Sequence, residues 1–299
     1  MYKNKEEKKI FALGFFDGVH RGHQVLLSEC CRLAKEHDCI PAAITFDHHP
    51  SSIYRPDPPK LISTNKDREI LLKSYGIKEV YLLSVNDRFM GLHWRHFLEY
   101  MILQGATGFV CGDDFHFGHK GIGNTQRLQN FCQERGLPCI IVQEQAIDGL
   151  RISSTHIRKL ISEGRMDDAS EFLGHPHLLS GIVVPGQKLG RTIGIPTANF
   201  FIPSDVLLPK FGVYSCLCTL QGKTYAAVTD IGNRPTVGGE NTRAETWILG
   251  FEGDLYGQTI TLEVYEYLRP EQKFSSLEEL KTQILRDAGR ARRLLRSRD

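Results

Sequence analysis

The chain has 299 residues, enough for two domains that each bury a hydrophobic core. Its 37 Lys and Arg residues nearly balance its 35 Asp and Glu residues, and the net charge of +2 excludes a global field that would attract nucleic acid or a membrane. No apolar run approaches the ~20 residues that span a bilayer, and the charged segment from Met1 to Lys9 lacks the apolar core of a secretion signal.

Eight cysteines are present, with no Cys-x-x-Cys pair and no other spacing typical of metal ligands. They are residues 30, 31, 39, 111, 132, 139, 216 and 218. Most lie in apolar surroundings, which predicts that they serve as small hydrophobic residues of the core. We therefore expect a cytoplasmic protein in a reduced state.

The first half of the chain alternates short apolar runs with helical patterns. The predicted strands are residues 10–15, 40–46, 80–84, 108–111 and 138–142. The predicted helices are residues 24–37, 66–75, 93–104 and 125–135. This alternation indicates an α/β domain with a parallel, doubly wound sheet. Ligands of such sheets bind at the carboxyl ends of the strands, where residues 17–23 and 112–118 are expected.

The pattern changes around residues 174–177, and short β-rich runs separated by turns follow. These predicted strands are residues 178–184, 211–220, 223–230, 243–249 and 259–267. Their spacing predicts an antiparallel β-barrel. We place the domain boundary near residue 177, which gives domains 1–177 and 178–299.

One helix, from Ser276 to about Arg296, closes the chain. Ser275 and Glu278 have the spacing of a capping box at its start. The apolar residues of this segment are spaced as one helical face, and its arginines are expected on the solvated side. The apolar residues are Leu277, Leu280, Ile284, Leu294 and Leu295.

The most informative segment lies between Ala12 and Gln24. An apolar run ends in glycine, and two histidines, His20 and His23, follow at a spacing of three. If a helix begins near Gly22, its free N–H groups favour a phosphate, and both imidazoles could bind an α-phosphate as charge builds during attack. The alternative is a pair of surface histidines at a helix start, which the motif alone does not exclude.

The spelling Gly-Phe-Phe-Asp-Gly-Val-His-Arg-Gly-His over residues 14–23 resembles the nucleotidyltransferase signature of the cytidylyltransferase-like superfamily. Within that superfamily it resembles the bacterial bifunctional riboflavin kinase/FAD synthetases, and later segments agree in order over nearly the whole chain. The resemblance implies a Rossmann-like nucleotidyltransferase domain and a riboflavin kinase barrel with a terminal helix. It also implies catalytic roles for His20 and His23. The implied ATP contacts are Gly14, Phe15, Asp17 and Gly22.

A second phosphate element is predicted at residues 151–158. Ser154 and Thr155 can cap the helix that follows, and this is the simpler interpretation. The same cap would leave Arg151 and Arg158 facing one anion. In the family that this chain resembles, the Ser-Ser-Thr-x-x-Arg element holds the β- and γ-phosphates of ATP opposite the two histidines. We therefore expect these four residues to bind ATP.

The flavin side of the first domain departs from the family pattern at two positions. Residues 112–118 resemble the segment that borders the FMN site, but His116 replaces the usual Arg. Residues 45–50 carry His48 where Pro is usual, while His49 is retained. The resemblance implies flavin-side contacts from His49 and Asp114.

Residues 181–199 predict a second nucleotide site. Glycines 181, 190 and 194 suggest a flap where the backbone approaches a ligand closely. Thr197 and Asn199 lie two apart, on one face if the segment is extended, and their oxygens suit Mg²⁺. The alternative is an ordinary turn with local hydrogen bonds. The segment resembles the riboflavin kinase flap and its Pro-Thr-Ala-Asn motif, whose Thr and Asn hold the metal.

A kinase of this kind needs a base for the hydroxyl that attacks ATP. The resemblance assigns the base to Glu245, whose carboxylate can accept that proton. The alternative is a solvated strand residue paired with Arg243.

The sequence thus predicts an enzyme that phosphorylates riboflavin with ATP to FMN and adenylylates FMN to FAD and pyrophosphate. Its expected cofactor is Mg²⁺, and its partners are riboflavin, FMN, FAD and ATP, without nucleic acid or membrane. Self-association is left open. One alternative is an enzyme in which only the kinase works, because His48 and His116 alter the flavin side. Another is a flavin- or nucleotide-binding protein without turnover, against which the candidate base counts.

Overall fold

The structure is a computed structural model that describes residues 7–186, 190, 194–236 and 239–297, with only the backbone described at 233–236 and 239–243. The chain divides into two units, residues 1–61 with 65–153 and residues 62–64 with 154–299. Two helices within residues 154–173, which precede residue 177, belong to the second unit. The boundary near residue 177 stays a prediction.

In the described part of the first unit, five strands form one parallel sheet in the order β3-β2-β1-β4-β5. The strands are β1 (Lys9–Leu13), β2 (Ile40–Phe46), β3 (Glu79–Leu83), β4 (Ala106–Gly112) and β5 (Cys139–Val142). The helices are α1 (Arg21–Glu36), α2 (Asn65–Ser74), α3 (Asp87–Met90), α4 (Trp94–Leu103) and α5 (Thr125–Arg135). A hairpin of β6 (Ala146–Ile147) and β7 (Leu150–Arg151) follows. The predicted α/β domain is confirmed.

The central strand β1 decides where the first unit can bind a ligand. All five of its residues are buried, and it pairs with β2 on one side and β4 on the other. The strand order reverses at this point, so a crevice opens at the carboxyl end of β1. The chain leaves β1 there and enters α1 within eight residues (14–21).

The second unit begins with α6 (Ser154–Glu163) and α7 (Met166–Leu173). Its described strands then form a closed barrel in the order β10-β11-β12-β9-β8-β13, and every pair is antiparallel. The strands are β8 (His177–Val184), β9 (Ala198–Phe201), β10 (Gly212–Leu220), β11 (Lys223–Thr236), β12 (Gly239–Ile248) and β13 (Thr259–Arg269). Alternate residues such as Leu179, Phe200 and Leu262 fill the interior. The predicted barrel is confirmed.

Helix α8 (Leu277–Arg296) packs on the outside of the barrel. Ala288 and Ala291 are fully buried there against a cluster that includes Val213 and Val228. Leu277, predicted on the apolar face, is 60% exposed, because the contact at Ala288 and Ala291 lies about three to four turns further along the helix. Of the arginines that we expected on the solvated side, Arg298 lies outside the described residues.

The predicted capping box at the start of α8 is one residue out of register. Ser276, not Ser275, is the N-cap, and its Oγ accepts the Glu279 N–H at 3.1 Å. The Glu279 carboxylate in turn accepts the Ser275 N–H at 2.9 Å and the Ser275 hydroxyl at 2.7 Å. Two neighbouring serines and two neighbouring glutamates make both registers possible in sequence, and the helix start selects one.

The eight cysteines, all within the described ranges, carry free thiols. Burial raises the pKa of Cys30 and of Cys216 to about 12, so these thiols stay protonated and behave as apolar groups. Over the residues that the structure describes, none of the helices combines the length and the apolar character needed to cross a bilayer.

Candidate active sites

The connection from β1 to α1 is built from left-handed backbone. Phe16, Gly18 and Val19 have φ values of 55°, 72° and 40°. Only glycine adopts such values without strain, so the surrounding structure must hold Phe16 and Val19 in place. The turn buries Asp17, Gly18 and Val19 and leaves the N-terminus of α1 at the carboxyl edge of the sheet.

The two predicted histidines lie together at that helix start. His20 is the N-cap of α1, and its Nδ1 accepts the His23 N–H at 3.3 Å. The rings stack with centroids 3.6 Å apart and an interplanar angle of 12°. The Phe16 ring meets His23 edge-on at 5.2 Å. The helix begins at Arg21, three residues earlier than the predicted start at residue 24.

His23 is held neutral by its surroundings. Burial, aided by His20 and Arg68, lowers the pKa of His23 well below its usual value. Its Nδ1 is a buried polar atom for which the described residues supply no hydrogen-bond partner. An unsatisfied imidazole nitrogen beside a helix N-terminus suits an anionic ligand that would complete its hydrogen bonding.

Gly14, Gly22 and Phe15 shape the anion cradle, by which we mean the space beside His20 and His23 at the N-terminus of α1. A Cβ at Gly14 would lie 2.9 Å from the Phe16 ring, and one at Gly22 would lie 3.3 Å from the His20 ring. The Phe15 carbonyl accepts the Thr45 hydroxyl at 2.6 Å and Arg68 Nη1 at 3.2 Å. Sequence reasoning also missed Arg68, which is completely buried.

The flavin-side candidate His49 lies next to the same cradle. Its ring meets Phe15 edge-on at 5.2 Å, and its Nδ1 accepts the Ser51 N–H at 3.1 Å at the start of a short 3-10 helix, Pro50–Ile53. His48, which differs from the family pattern, is exposed, and its Nδ1 lies 3.1 Å from Asp47 Oδ1. The structure thus brings one flavin-side candidate and one ATP-side candidate into contact.

Arg151 and Asp114 are also brought together, although we predicted them for different ligands. Arg151 Nη2 lies 2.8 Å from Asp114 Oδ2 and 2.5 Å from Glu144 Oε1. His116 Nδ1 lies 2.8 Å from the Asp114 carbonyl oxygen. These ion pairs are solvent-exposed and therefore weak, so a phosphate can replace either carboxylate on Arg151.

Ser154 and Thr155, which we expected to cap the helix that follows, are instead the first two residues of α6. Their backbone N–H groups belong to the first turn, which has no acceptors within the helix. Arg158 follows one turn later. These residues belong to the second unit, and their approach to the two histidines stays a prediction.

In the barrel, the strand register aligns the candidate kinase residues. Asn199 on β9 is directly opposite Glu245 on β12, and Glu245 is directly opposite Asp230 on β11. Directly opposite residues point to the same face, so these three side chains form a row. Thr197 donates its hydroxyl to Glu245 Oε1 at 2.7 Å. Asn199 is buried.

Glycines hold the backbone close to this row. A Cβ at Gly186 would lie 2.7 Å from Asn199 Cγ, and one at Gly190 would lie 3.6 Å from Thr197 Oγ1. Gly194 has a φ of 78°. Gly181 has a packing role instead, because a Cβ there would meet the Phe200 ring. The rest of the predicted flap, residues 187–189 and 191–193, and the Arg243 side chain lie outside the described residues.

A cavity of about 370 Å³ lies between the barrel and α8 and contains the row on one wall. Val213, Val228 and Trp247 provide an apolar wall, and the first turns of α8 provide another. Arg269, at one end, pairs with Asp287 of α8 at 2.9 Å. Sequence reasoning missed Asp230, Trp247, Arg269 and Asp287; only the strand register could have indicated Asp230.

A second cavity of about 160 Å³ lies on the other side of Thr197. Its lining includes Pro196, Ala198, Asp254 and Tyr256, and Thr197 borders both cavities. A ligand in either cavity could therefore contact the Thr197 hydroxyl, and the Glu245 carboxylate lines the larger cavity. Such an arrangement can transfer a group between ligands in the two cavities.

His20 and His23 at the start of α1 form an anion site beside the doubly wound sheet, and the Thr197–Glu245 pair forms a second site on the barrel. Together they define a two-domain transferase that acts on nucleotide phosphates. The comparisons with known proteins agree. The FAD synthetase family profile matches residues 2–156, and the riboflavin kinase family profile matches residues 173–295.

Curated relatives match over nearly the full length. The bifunctional riboflavin kinase/FMN adenylyltransferase of Listeria monocytogenes is 34% identical and covers 93% of this chain and 90% of its own. The enzyme of the same name from Escherichia coli K12 is 34% identical, and the match covers 96% of this chain and 93% of the E. coli chain. The chain belongs to this family, and the resemblance predicted from the sequence is confirmed.

A solved structure from Streptococcus pneumoniae, described as a macrolide-efflux protein, matches with a TM-score of 0.84 and 32% identity. The match covers 96% of this chain and 94% of the Streptococcus pneumoniae chain. The two chains therefore share a fold over nearly their whole length.

Proposed function

We propose that this chain phosphorylates riboflavin with ATP at the barrel and adenylylates the resulting FMN with a second ATP at the parallel sheet. Membership of a family with both activities supports this proposal. The observation that carries it is the Thr197–Glu245 pair, because a candidate base on the wall of the larger cavity bonds the hydroxyl that borders both cavities.

At the barrel, the larger cavity suits riboflavin, and the smaller one has room for the phosphate end of ATP. The apolar wall of Val213, Val228 and Trp247 matches a flat ring system, and the polar row matches a polyol chain. Glu245 then accepts the proton of the terminal hydroxyl as that oxygen attacks the γ-phosphate, the bond between the β- and γ-phosphates breaks, and ADP leaves. Asp230 lies one strand away and on the same face. It accepts a hydrogen bond from another hydroxyl of the polyol chain of riboflavin.

The donor set also fits a divalent cation. The Thr197 hydroxyl, the Asn199 amide oxygen and the Glu245 carboxylate are hard oxygen ligands, the type that Mg²⁺ prefers. The Thr197 hydroxyl donates its proton to Glu245, so its lone pairs face away from that bond. Thr197 and Asn199 would hold Mg²⁺, which would neutralise charge on the phosphates when bound.

At the sheet, the phosphate of FMN attacks the α-phosphate of ATP, and pyrophosphate leaves. His20, His23 and the N-terminal amides of α1 stabilise the charge that builds on the α-phosphate. Arg151, Ser154, Thr155 and Arg158 bind the phosphates that become pyrophosphate, while His49 and Asp114 border the flavin. The free thiols fit a reducing, cytoplasmic setting.

The test is incubation of the protein with riboflavin, ATP and Mg²⁺, followed by chromatographic separation of the flavins. We expect FMN to form first and FAD to follow, and EDTA to stop FMN formation. If FMN supplied directly with ATP yields no FAD, only the kinase half of the proposal stands. If riboflavin yields no FMN, the barrel assignment is wrong.

A further inference from the structure

Arg68 is a charged side chain with no exposed surface, located in the first turn of α2. Arginine stays protonated in proteins, so a permanent positive charge is buried beside the carboxyl edge of the sheet. Burial of a charge is costly unless hydrogen bonds satisfy it. The contacts of Arg68 therefore indicate what this charge is held for.

The guanidinium ties together the ends of the two central strands. Its Nη1 donates to the Phe15 carbonyl at 3.2 Å, the Thr45 hydroxyl at 2.7 Å and the Phe46 carbonyl at 2.7 Å. Its Nη2 donates to Asn65 Oδ1 at 2.8 Å. The Thr45 hydroxyl donates in turn to the Phe15 carbonyl at 2.6 Å. The carbon of the guanidinium also lies 4.6 Å from the centre of the Phe15 ring.

Phe15 is the last residue before the strained turn that leads to the histidines. The next residue, Phe16, is left-handed, and its ring packs against His23. A turn of this kind persists only where the surrounding structure holds it. By fixing the Phe15 carbonyl and ring, Arg68 fixes the point from which the turn departs.

Arg68 also acts on His23 through its charge. The charged and titratable groups that influence His23 are His20 and Arg68, and both favour the neutral imidazole. A neutral His23 carries one ring N–H, which can donate a hydrogen bond to an anion in the cradle. The same positive charge favours an anion in the cradle.

We propose that Arg68 is a positioning residue for adenylyl transfer, which holds Phe15 and the following turn so that His20 and His23 face the α-phosphate. This inference rests on the proposed function of the first unit. Arg68 need not touch either substrate. Its effect passes through the backbone at residues 15–19 and through the charge state of His23.

The experiment compares Arg68→Lys and Arg68→Met with the unmodified protein. Arg68→Lys keeps the charge but loses the planar fork, and Arg68→Met loses both. Arg32→Lys is the matched control, because Arg32 lies on the exposed face of α1 in ion pairs with Glu29 and Glu36. The readouts are kcat and KM for FAD formation from FMN between pH 5 and 9, and kinase activity of the same samples.

We expect Arg68→Lys to lower kcat for FAD formation on the order of 10- to 100-fold, since small misplacements of reacting groups have effects of that size. Kinase activity should stay within about twofold, as should both activities of the control. The acid limb of the pH profile should stay in place for Arg68→Lys and move to higher pH for Arg68→Met, because loss of the charge eases protonation of His23.

FAD formation by Arg68→Lys within twofold of the unmodified protein overturns the inference. An unmoved acid limb in Arg68→Met overturns the charge contribution. If neither Arg68 variant folds, Thr45→Val decides, because it removes the hydroxyl that accepts from Arg68 and donates to the Phe15 carbonyl beside their direct contact. At least a fivefold loss of FAD formation is expected, and no loss overturns the inference. If the unmodified protein makes no FAD, the proposed function fails instead.

Discussion

At the scale of single residues, Glu245 has two possible roles that experiment can separate. Its carboxylate accepts the Thr197 hydroxyl and borders the larger cavity, as a general base for a substrate hydroxyl requires. A strand residue with a purely electrostatic role would contribute about 0–1 kcal/mol if exposed.

Glu245→Gln should therefore lower kinase turnover roughly 10²- to 10⁴-fold with little change in riboflavin affinity, because the amide keeps its size but cannot accept the proton. Steady-state kinetics with riboflavin and ATP measure this effect, and FAD formation from added FMN serves as the internal standard. Glu266→Gln is the matched control, since Glu266 is an exposed barrel carboxylate paired with Arg290. Near-normal turnover would remove Glu245 from the mechanism.

Residues with a local signature could be predicted, and those that depend on tertiary contacts could not. His20 and His23 stand out at the junction of an apolar strand and a glycine-rich turn, and Thr197 and Asn199 stand out at a spacing of two. Arg68 lies in the charged run Lys66-Asp67-Arg68-Glu69, which is typical of a solvated helix start. Only the packing of α2 over the ends of β1 and β2 buries it.

At the scale of elements, the pairing of β9 with β12 positions Asn199, and Gly186 allows the chain to pass over it. An added Cβ at residue 186 would lie 2.7 Å from Asn199 Cγ, closer than real Cβ contacts. Gly186 has no positive φ to strain an alanine, so the contact with Asn199 is the change that matters.

Gly186→Ala should therefore reduce kinase activity at least tenfold by displacing the Asn199 amide, with FAD formation from FMN unchanged. The measurement is the kinase rate against Mg²⁺ concentration. Gly289→Ala is the steric control, because Gly289 also lacks a positive φ and a Cβ there would meet nothing within 4 Å. Equal kinase rates in the two variants would show that Asn199 is free to move or is not needed.

The barrel also contains a buried histidine with a consequence for acid stability. His177, at the start of β8, is 1% exposed, and burial together with His175 lowers its pKa to about 3. In the unfolded chain its pKa is about 6.5, so the unfolded state binds the proton first as the pH falls. The stabilisation is complete above pH 6.5 and is lost as the pH drops toward 3.

We expect the free energy of unfolding of the barrel to fall by roughly 2 kcal/mol between pH 7 and pH 5 because of His177. Urea titrations at several pH values measure this slope. His177→Leu should flatten it, whereas substitution of the exposed His48 should leave it unchanged. An equal slope in His177→Leu would contradict the assignment.

Most elements could be predicted because their hydrophobic period is clear; residues 125–135 agree with α5 at both ends. Sequence reasoning missed the four-residue strand β9 (Ala198–Phe201). Pro196 and the Thr-Ala-Asn pattern, which suggested metal ligands or a turn, did not indicate a strand there. Helix α7 was also missed, because its short segment Met166–Leu173 follows α6 closely and carries two acidic residues in its first turn.

At the scale of the whole molecule, the two histidines belong to the first unit and the Thr197–Glu245 pair belongs to the second. The double variant His20→Ala/His23→Ala should make FMN but not FAD, because it loses two preorganised donors for the α-phosphate, each of which contributes on the order of 3 kcal/mol. The Glu245→Gln variant should convert added FMN to FAD.

A mixture of these two variants with riboflavin, ATP and Mg²⁺ should produce FAD, because FMN released by one chain can reach the other. Chromatography over time should show free FMN before FAD, and each variant alone should yield little or no FAD from riboflavin. If both variants keep their own half-reaction and the mixture makes no FAD, then FMN does not leave the chain on which it forms.

The pairing of β8 with β13 sets the order in which the two activities can arise during synthesis on the ribosome. Residues 177–184 must wait for residues 259–269 before the barrel closes, and the larger cavity gains its outer wall only when α8 follows. The five strands of the parallel sheet are complete by Val142. A nascent chain folds unit by unit from its N-terminus. A premature stop codon in the last tenth of the coding sequence would therefore abolish FMN formation and leave the earlier sheet intact, so a cell with such an allele would depend on FMN from another source.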